Sequence, residues 1–252
     1  MAIPFLSIII PAFNEELRLG RTLEALPADL VEPIVAVNGS TDATATIAED
    51  FGAYVVDIEQ QGKMPAIQKA LEHLGRRALQ PLLILDADAR PIFPQRWHRH
   101  MVSPISSAET PVVVGGPVWY TGSPRVEAIL RSVYRAGRTI TNADVGNIDR
   151  AIQFGPNMGV HIKERHVLDL IMGIPNYWPG EDRALAEAVS HGDGTYRALV
   201  HPYATVWNPT SISAISLKDR LALGSEDTLK VVAQRYVERG PQDAKPYESQ
   251  AL

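Results

Sequence analysis

Residues 82–88 read Leu-Leu-Ile-Leu-Asp-Ala-Asp, four aliphatic side chains followed at once by two carboxylates. An apolar run without polar alternation is a strand covered on both faces, which calls for a sheet with helices on either side. The acids then fall where the strand leaves the core. Two ionised carboxylates so close repel one another, and a divalent cation is the most direct means of keeping both charged. Asp86 and Asp88, bracketing Ala87, suit a hard metal that itself carries a diphosphate. Taken alone, the same residues also describe a strand-end turn in which Asp88 caps the next segment.

Upstream segments repeat the pattern of an apolar run followed by polar groups. Leu6–Ile10 is a strand expected to stop at Pro11. Asn14 is placed to cap a helix with Glu15 and Glu16 in its first turn and Leu19, Leu23 and Leu26 inward. Ile34–Val37 is a second strand, running into Asn38-Gly39-Ser40-Thr41-Asp42 ahead of a helix with Ala43, Ile47 and Phe51 on one face. Gly52 closes that helix, Tyr54–Val56 makes a third strand, and Gly62-Lys63 opens a helix that buries Ile67, Ala70, Leu71 and Leu74. Alternating strands and helices predict a parallel sheet with right-handed crossovers, and ligands of such sheets gather beyond the carboxyl ends of the strands. Asn14, Asn38, Asp42, Asp86 and Asp88 all fall there.

Beyond residue 90 the pattern changes. Pro91, Pro94 and Pro104 interrupt a weakly amphipathic stretch, and Val112–Val118 reads as a strand or bulged ribbon. Val126–Val133 has helical spacing, Tyr134–Arg150 reads as a loop, and Gly155–Gly159 as a tight turn that lets a substrate reach backbone. Glu164–Ile171 is helical. Trp178-Pro179-Gly180 leads into Glu181 and Asp182, with Leu185, Ala188 and Val189 as the buried stripe of a helix whose leading acids also suit its dipole. His201 ends a short Tyr196–Val200 strand; Leu217–Tyr236 supplies one or two helices, and 240–252 is a polar tail. The expected organisation is one α/β domain over 1–215, with a nucleotide-binding half (about 1–110) and an acceptor-binding half with a mixed sheet (about 111–215), followed by a helical segment and tail at 216–252.

Bulk properties exclude several functions. A formal charge of −5 without a basic stripe gives nucleic acid no electrostatic footing. The absence of cysteine removes thiolate chemistry and cysteine metal sites. The opening segment contains Pro4 and lacks a basic flank, so it resembles neither a signal peptide nor an anchor, and a cytoplasmic protein without a transmembrane segment is expected. Peripheral membrane contact through Trp119, Tyr120 and Trp178 stays open, as does self-association.

These sites combine into one chemistry. A metal on Asp86 and Asp88 neutralises the diphosphate of an activated donor and stabilises it as it leaves. Lys63 either adds a point charge near the same phosphates or is a plain surface lysine. Glu15 and Asp42 can hydrogen-bond a nucleoside. Asp182, held across the pocket, can take a proton from an attacking hydroxyl, which implies inversion. His201 is either a third, nitrogen ligand to the metal or a loop cap, and His161 and His191 read as surface histidines.

Ser7–Glu16, Val37–Asp42, Gly62-Lys63, Leu85–Asp88 and Gly180-Glu181-Asp182 together resemble the successive signatures of GT-A glycosyltransferases, closest to family 2. The resemblance spans about residues 5–205. It implies a Rossmann-like sheet with helices on both faces, a nucleotide-diphosphate-sugar donor, Mg2+ or Mn2+, and a small-molecule or lipid-linked acceptor. Donor contacts are implied for Pro11, Ala12, Phe13, Glu15, Asn38, Asp42, Lys63, Asp86 and Ala87, metal binding for Asp88 above all, and the base role for Asp182. The chain departs from the family in having Asn38 where aspartate is common and Met64 where glycine follows the Gly-Lys pair, and it lacks a Gln-x-x-Arg-Trp segment. Retaining GT-A enzymes that act on small phosphorylated or carboxylated acceptors are the alternative. His201 would then ligate the metal, and Asp182 would contact a sugar hydroxyl or the acceptor. A nucleotidyltransferase is disfavoured by the acidic, glycine-free Pro11–Glu16 segment, and a noncatalytic sugar-binding protein would need no metal.

Overall fold

The aliphatic runs do become strands of one sheet. A computed structural model of the chain describes residues 6–116, 118–119, 156–176, 181–191, 195–198 and 202–208. Four parallel strands come first: β1 (Leu6–Ala12), β2 (Val31–Asn38), β3 (Tyr54–Ile58) and β4 (Leu82–Leu85). The later strands β6 (Val112–Gly115), β8 (Asn157–His161) and β9 (Thr195–Ala198) extend the same sheet, among the described residues, to seven strands in the order β3-β2-β1-β4-β8-β6-β9. Strand β8 runs antiparallel to both β4 and β6, and β9 is parallel to β6. The expected parallel first half and mixed second half are both present. A second, three-stranded sheet of β5 (Arg90–Pro91), β10 (Val206–Trp207) and β7 (Val118–Trp119) begins just past the acids.

Successive side chains of each strand enter opposite layers. Ile9, Ile34, Ala36, Leu82 and Ile84 pack against α3 (Lys63–Leu74), α5 (Arg165–Met172) and α6 (Glu181–His191). Ile8, Ile10, Val35, Val37, Leu83 and Leu85 pack in the other layer with α1 (Leu19–Glu24), α2 (Thr44–Asp50) and α4 (Pro94–Ser106). This two-sided burial is why the runs lack alternation.

Several local expectations are corrected. Strand β1 does not stop at Pro11 but continues to Ala12, with Pro11 opposite Ala36. The β1–β4 register ends at Ile9 opposite Ile84, so beyond it one side of β1 has no ladder for a proline to break. Pro104 does not end α4, because it lies in the last turn, where it costs a single intrahelical bond. Nor is Asn157–Gly159 an open turn: it is central strand, paired on both edges. A Cβ on Gly159 would come within 3.3 Å of Ile105, so its small size serves close packing of α4 on the sheet. Finally, α1 begins at Leu19, leaving Asn14, Glu15 and Glu16 in the preceding loop.

Among the described residues no helix is long and apolar enough to cross a membrane. The Val126–Val133 helix, the Tyr134–Arg150 loop, Tyr120, Trp178–Gly180, His201 and the 216–252 segment lie outside the described residues.

Candidate active site

Past Leu85 the chain makes a tight turn. Ala89 N–H donates to the Asp86 carbonyl at 2.9 Å, and Asp86 N–H to the Pro156 carbonyl at 3.2 Å. Ala87 and Ala89 point into the core, whereas Asp86 and Asp88 stay partly accessible. The small residue between the acids is therefore set by packing beneath the turn.

The loops after β1 and β2 are laced together at the same edge. Asn14 adopts a left-handed backbone at φ 52°, which asparagine tolerates better than most residues. Its N–H donates to Ser40 Oγ (3.0 Å), and its Oδ1 accepts from Thr41 N–H (2.9 Å). Glu15 N–H donates to Thr44 Oγ1 (2.8 Å) and Glu16 N–H to Asp42 Oδ2 (3.1 Å), while Glu16 Oε2 accepts from Ala43 N–H (3.2 Å). Asn14 is thus a loop brace and not a helix cap. Burial alone would raise the Asp42 pKa, but the Thr44 hydroxyl and the N–H groups of Glu16 and Thr44 outweigh it and hold this carboxyl below its ordinary value. Pro11 and Ala12 are buried at the end of β1, and Phe13 follows them half-buried. Asn38 is buried at the end of β2, and its Oδ1 has no hydrogen-bond partner among the described residues.

Glu15 is the most perturbed acid of this edge. Burial, then the nearby Asp88 carboxylate, raise it from 4.5 to about 7 against the opposing pull of Arg18, whose Nη1 lies 3.0 Å from Glu15 Oε2. That interaction places the β1 loop electrostatically beside the acidic turn.

Lys63 is no surface lysine. Its side chain is 12% exposed, and its Nζ lies 2.7 Å from Asp86 Oδ1 and 3.5 Å from Asp182 Oδ1. Asp182, near the start of α6, and Asp86, after β4, thereby share one ammonium although they are far apart in sequence. Gly62 makes this possible from a backbone at φ 130°; a Cβ there would sit 2.2 Å from Asn176 Oδ1, and Asn176 Nδ2 ties back to the Gln61 carbonyl at 2.9 Å.

The residue that sequence reasoning missed is Asn208. It is fully buried after β10, and its Nδ2 donates to Asp88 Oδ1 at 2.9 Å. No local signal marks an asparagine beyond a two-residue strand, because its significance depends on pairing with β5. His161, expected at the surface, is buried on β8 with Nδ1 2.7 Å from the Ile105 carbonyl, and burial lowers its pKa.

Among the described residues, no group of three or more His, Asp, Glu or Cys side chains forms a metal cage. What the turn offers is hard carboxylate oxygen from Asp88 and Asp86. This donor set fits a magnesium-like ion that completes its shell with water and phosphate oxygens.

An α/β sheet of parallel strands continued by a mixed half, with acids where β4 meets the second sheet, defines the GT-A class of fold. The family model of glycosyl transferase family 2 matches residues 7–163, and the chain belongs to that family. Among curated proteins, Glycosyltransferase AglE of Haloferax volcanii is 35% identical over 130 residues, covering 47% of this chain and 41% of that protein. A 4,4'-diaponeurosporenoate glycosyltransferase of Staphylococcus aureus is 49% identical over 55 residues, 21% of this chain and 15% of that one. The chain thus spans less than half the length of these relatives. Of solved structures, the mannosyltransferase PcManGT of Pyrobaculum calidifontis, in complex with GDP-Man and Mn2+, superposes with a TM-score of 0.54 at 20% identity over 82% of this chain and 57% of that one. Glucosyl-3-phosphoglycerate synthase of Mycobacterium tuberculosis, with Mn2+, UDP-glucose and phosphoglyceric acid, gives 0.52 at 20% identity over 92% and 80%.

Proposed function

We propose that this chain is a metal-dependent glycosyltransferase that moves a sugar from a nucleotide-diphosphate donor to an acceptor hydroxyl with inversion. The observation that carries the reading is the convergence of Asp86, Asp88, Lys63 and Asp182 at the carboxyl end of β4. Mn2+ or Mg2+, as in the complexes of the fold neighbours, would be held by Asp88 with Asp86 and would balance the charge of the departing diphosphate. Pro11, Ala12, Phe13, Glu15, Asn38 and Asp42 line the edge that receives the nucleoside, with Ala87 at the turn. Lys63 pairs with both Asp86 and Asp182 and supplies positive charge beside the phosphates. Asp182 accepts the proton of the attacking hydroxyl. The catalytic unit is 1–215, the acceptor is a small molecule or a lipid-linked one, and the setting is cytoplasmic.

The test is a screen of nucleotide sugars with Mn2+, followed by NMR assignment of the anomeric configuration of the product. Transfer from one donor, abolished by EDTA and giving the inverted anomer, is the expected result. A retained anomer would move Asp182 from base to sugar-hydroxyl contact. Absence of binding to every nucleotide sugar would overturn the assignment.

A further inference from the structure

We infer that Asn208 is a positioning residue for the metal carboxylate Asp88, so that cation binding at the end of β4 depends on a strand from the far end of the domain. The inference rests on the metal role proposed for Asp88. An aspartate carboxylate turns about its χ1 and χ2 bonds unless something holds it, and an ion needing near-octahedral geometry penalises a carboxylate that must first be ordered. Asn208 supplies that restraint through the 2.9 Å bond from Nδ2 to Asp88 Oδ1. Being neutral, the amide fixes the carboxylate without cancelling its charge. Lys63, by contrast, already sets an ammonium against Asp86 at 2.7 Å.

Asn208 is itself held from behind. Val206 and Trp207 of β10 pair with Pro91 and Arg90 of β5, the strand that leaves the acidic turn, so the amide, one residue past β10, and its target, two residues before β5, are brought to the same end of a strand pair. The Arg90 guanidinium stacks 4.0 Å over the Trp207 ring, and Ile92 N–H donates to the Thr205 carbonyl at 3.2 Å. One step further back, Trp97 Nε1 donates to Asn157 Oδ1 (2.9 Å), and Asn157 Nδ2 donates to the Ala204 carbonyl (2.7 Å). This buried relay pins residues 202–208 to α4 and β8. At 0% exposure Asn208 has no room to swing, so its bond constrains Asp88 and not the reverse.

The test is Mn2+ titration of the full chain, followed by the electron paramagnetic resonance signal of free Mn2+, for wild type, Asp88→Ala, Asn208→Ala, Asn208→Leu and Asp88→Ala/Asn208→Ala, with thermal melts alongside. Asn208→Leu keeps the branched shape and the number of heavy atoms and so keeps the buried position filled if the alanine variant does not fold. Expected is a weakening of Mn2+ affinity of roughly 10- to 100-fold in the Asn208 variants, and no further loss when Asn208→Ala is added to Asp88→Ala. Asn208→Ser, which keeps a donor, should recover part of the affinity. Wild-type affinity in folded Asn208→Ala or Asn208→Leu, or a lower melting temperature with unchanged affinity, overturns the inference and leaves the metal role of Asp88 standing. Unchanged Mn2+ binding in Asp88→Ala removes that role itself, and the inference with it.

Discussion

At the ends of β1 and β2 the described residues are bound by six hydrogen bonds between residues 26–29 apart in sequence, whereas Asp182 and Asn208 meet Lys63 and Asp88 across 119 and 120 residues. The first region closes on itself through neighbouring βα units and is ordered as soon as those units pair. The second exists only when α6 and β10 have docked on the rest of the domain. The edge proposed to receive the nucleoside is thus tied together locally, while the groups nearest the proposed chemistry are set by distant packing. The difference predicts that damage to the second region should cost turnover and metal affinity, and damage to the first should cost stability and donor binding.

Asp88→Ala should break the contrast most severely, lowering metal-dependent turnover on the order of 10³-fold while the loops of the first region stay folded, as read by steady-state kinetics with circular dichroism. Asp182→Asn should lower kcat by roughly 10²-fold or more with little change in donor affinity, because a general base acts on the acceptor proton; equal losses in donor affinity would return Asp182 to a binding role.

Glu15→Gln tests the first region through pH. The folded carboxyl is raised from 4.5 to about 7, so the unfolded chain ionises first and the folded state loses stability as pH climbs between those values. Urea unfolding of the metal-free protein should show the stability of wild type relative to the glutamine variant falling by about 3 kcal/mol from pH 4.5 to above 7, the His98 contribution being common to both. A parallel slope in both proteins would show that Glu15 is not the titrating group.

His98 gives the opposite sign and a control away from the acids. It is fully buried on α4, both ring nitrogens lack partners among the described residues, and burial lowers its pKa from 6.5 to about 4. The unfolded histidine takes a proton first, so stability is complete above pH 6.5 and falls as pH drops toward 4; His98→Leu should remove that acid slope. The smallest effect is expected from Asn14→Ala, about 1 kcal/mol, through a disfavoured left-handed backbone and the lost bond to Thr41.

Much of this molecule was legible in order along the chain. Unalternating runs at residues 6–10, 34–37 and 82–85 identified doubly covered strands, and turn chemistry located their polar ends, because both signals come from adjacent residues. The family resemblance added the expectation that Asp182 belongs with the acidic turn. Proline and glycine misled where tertiary context overrode local preference: Pro11 lies in a strand, Pro104 in a helix, and Gly159 packs beneath α4.

By itself, then, the sequence determined the strands, the helices behind them and the acids at their ends, through burial patterns and turn preferences that operate over a few residues. Tertiary structure alone decided that Lys63 bridges Asp86 and Asp182, that Asn14 braces a neighbouring loop, and that Asn208 holds Asp88. Those contacts join segments with no local imprint on one another. Which carboxylate meets which amide or ammonium follows only from strand order and register once the sheets have formed.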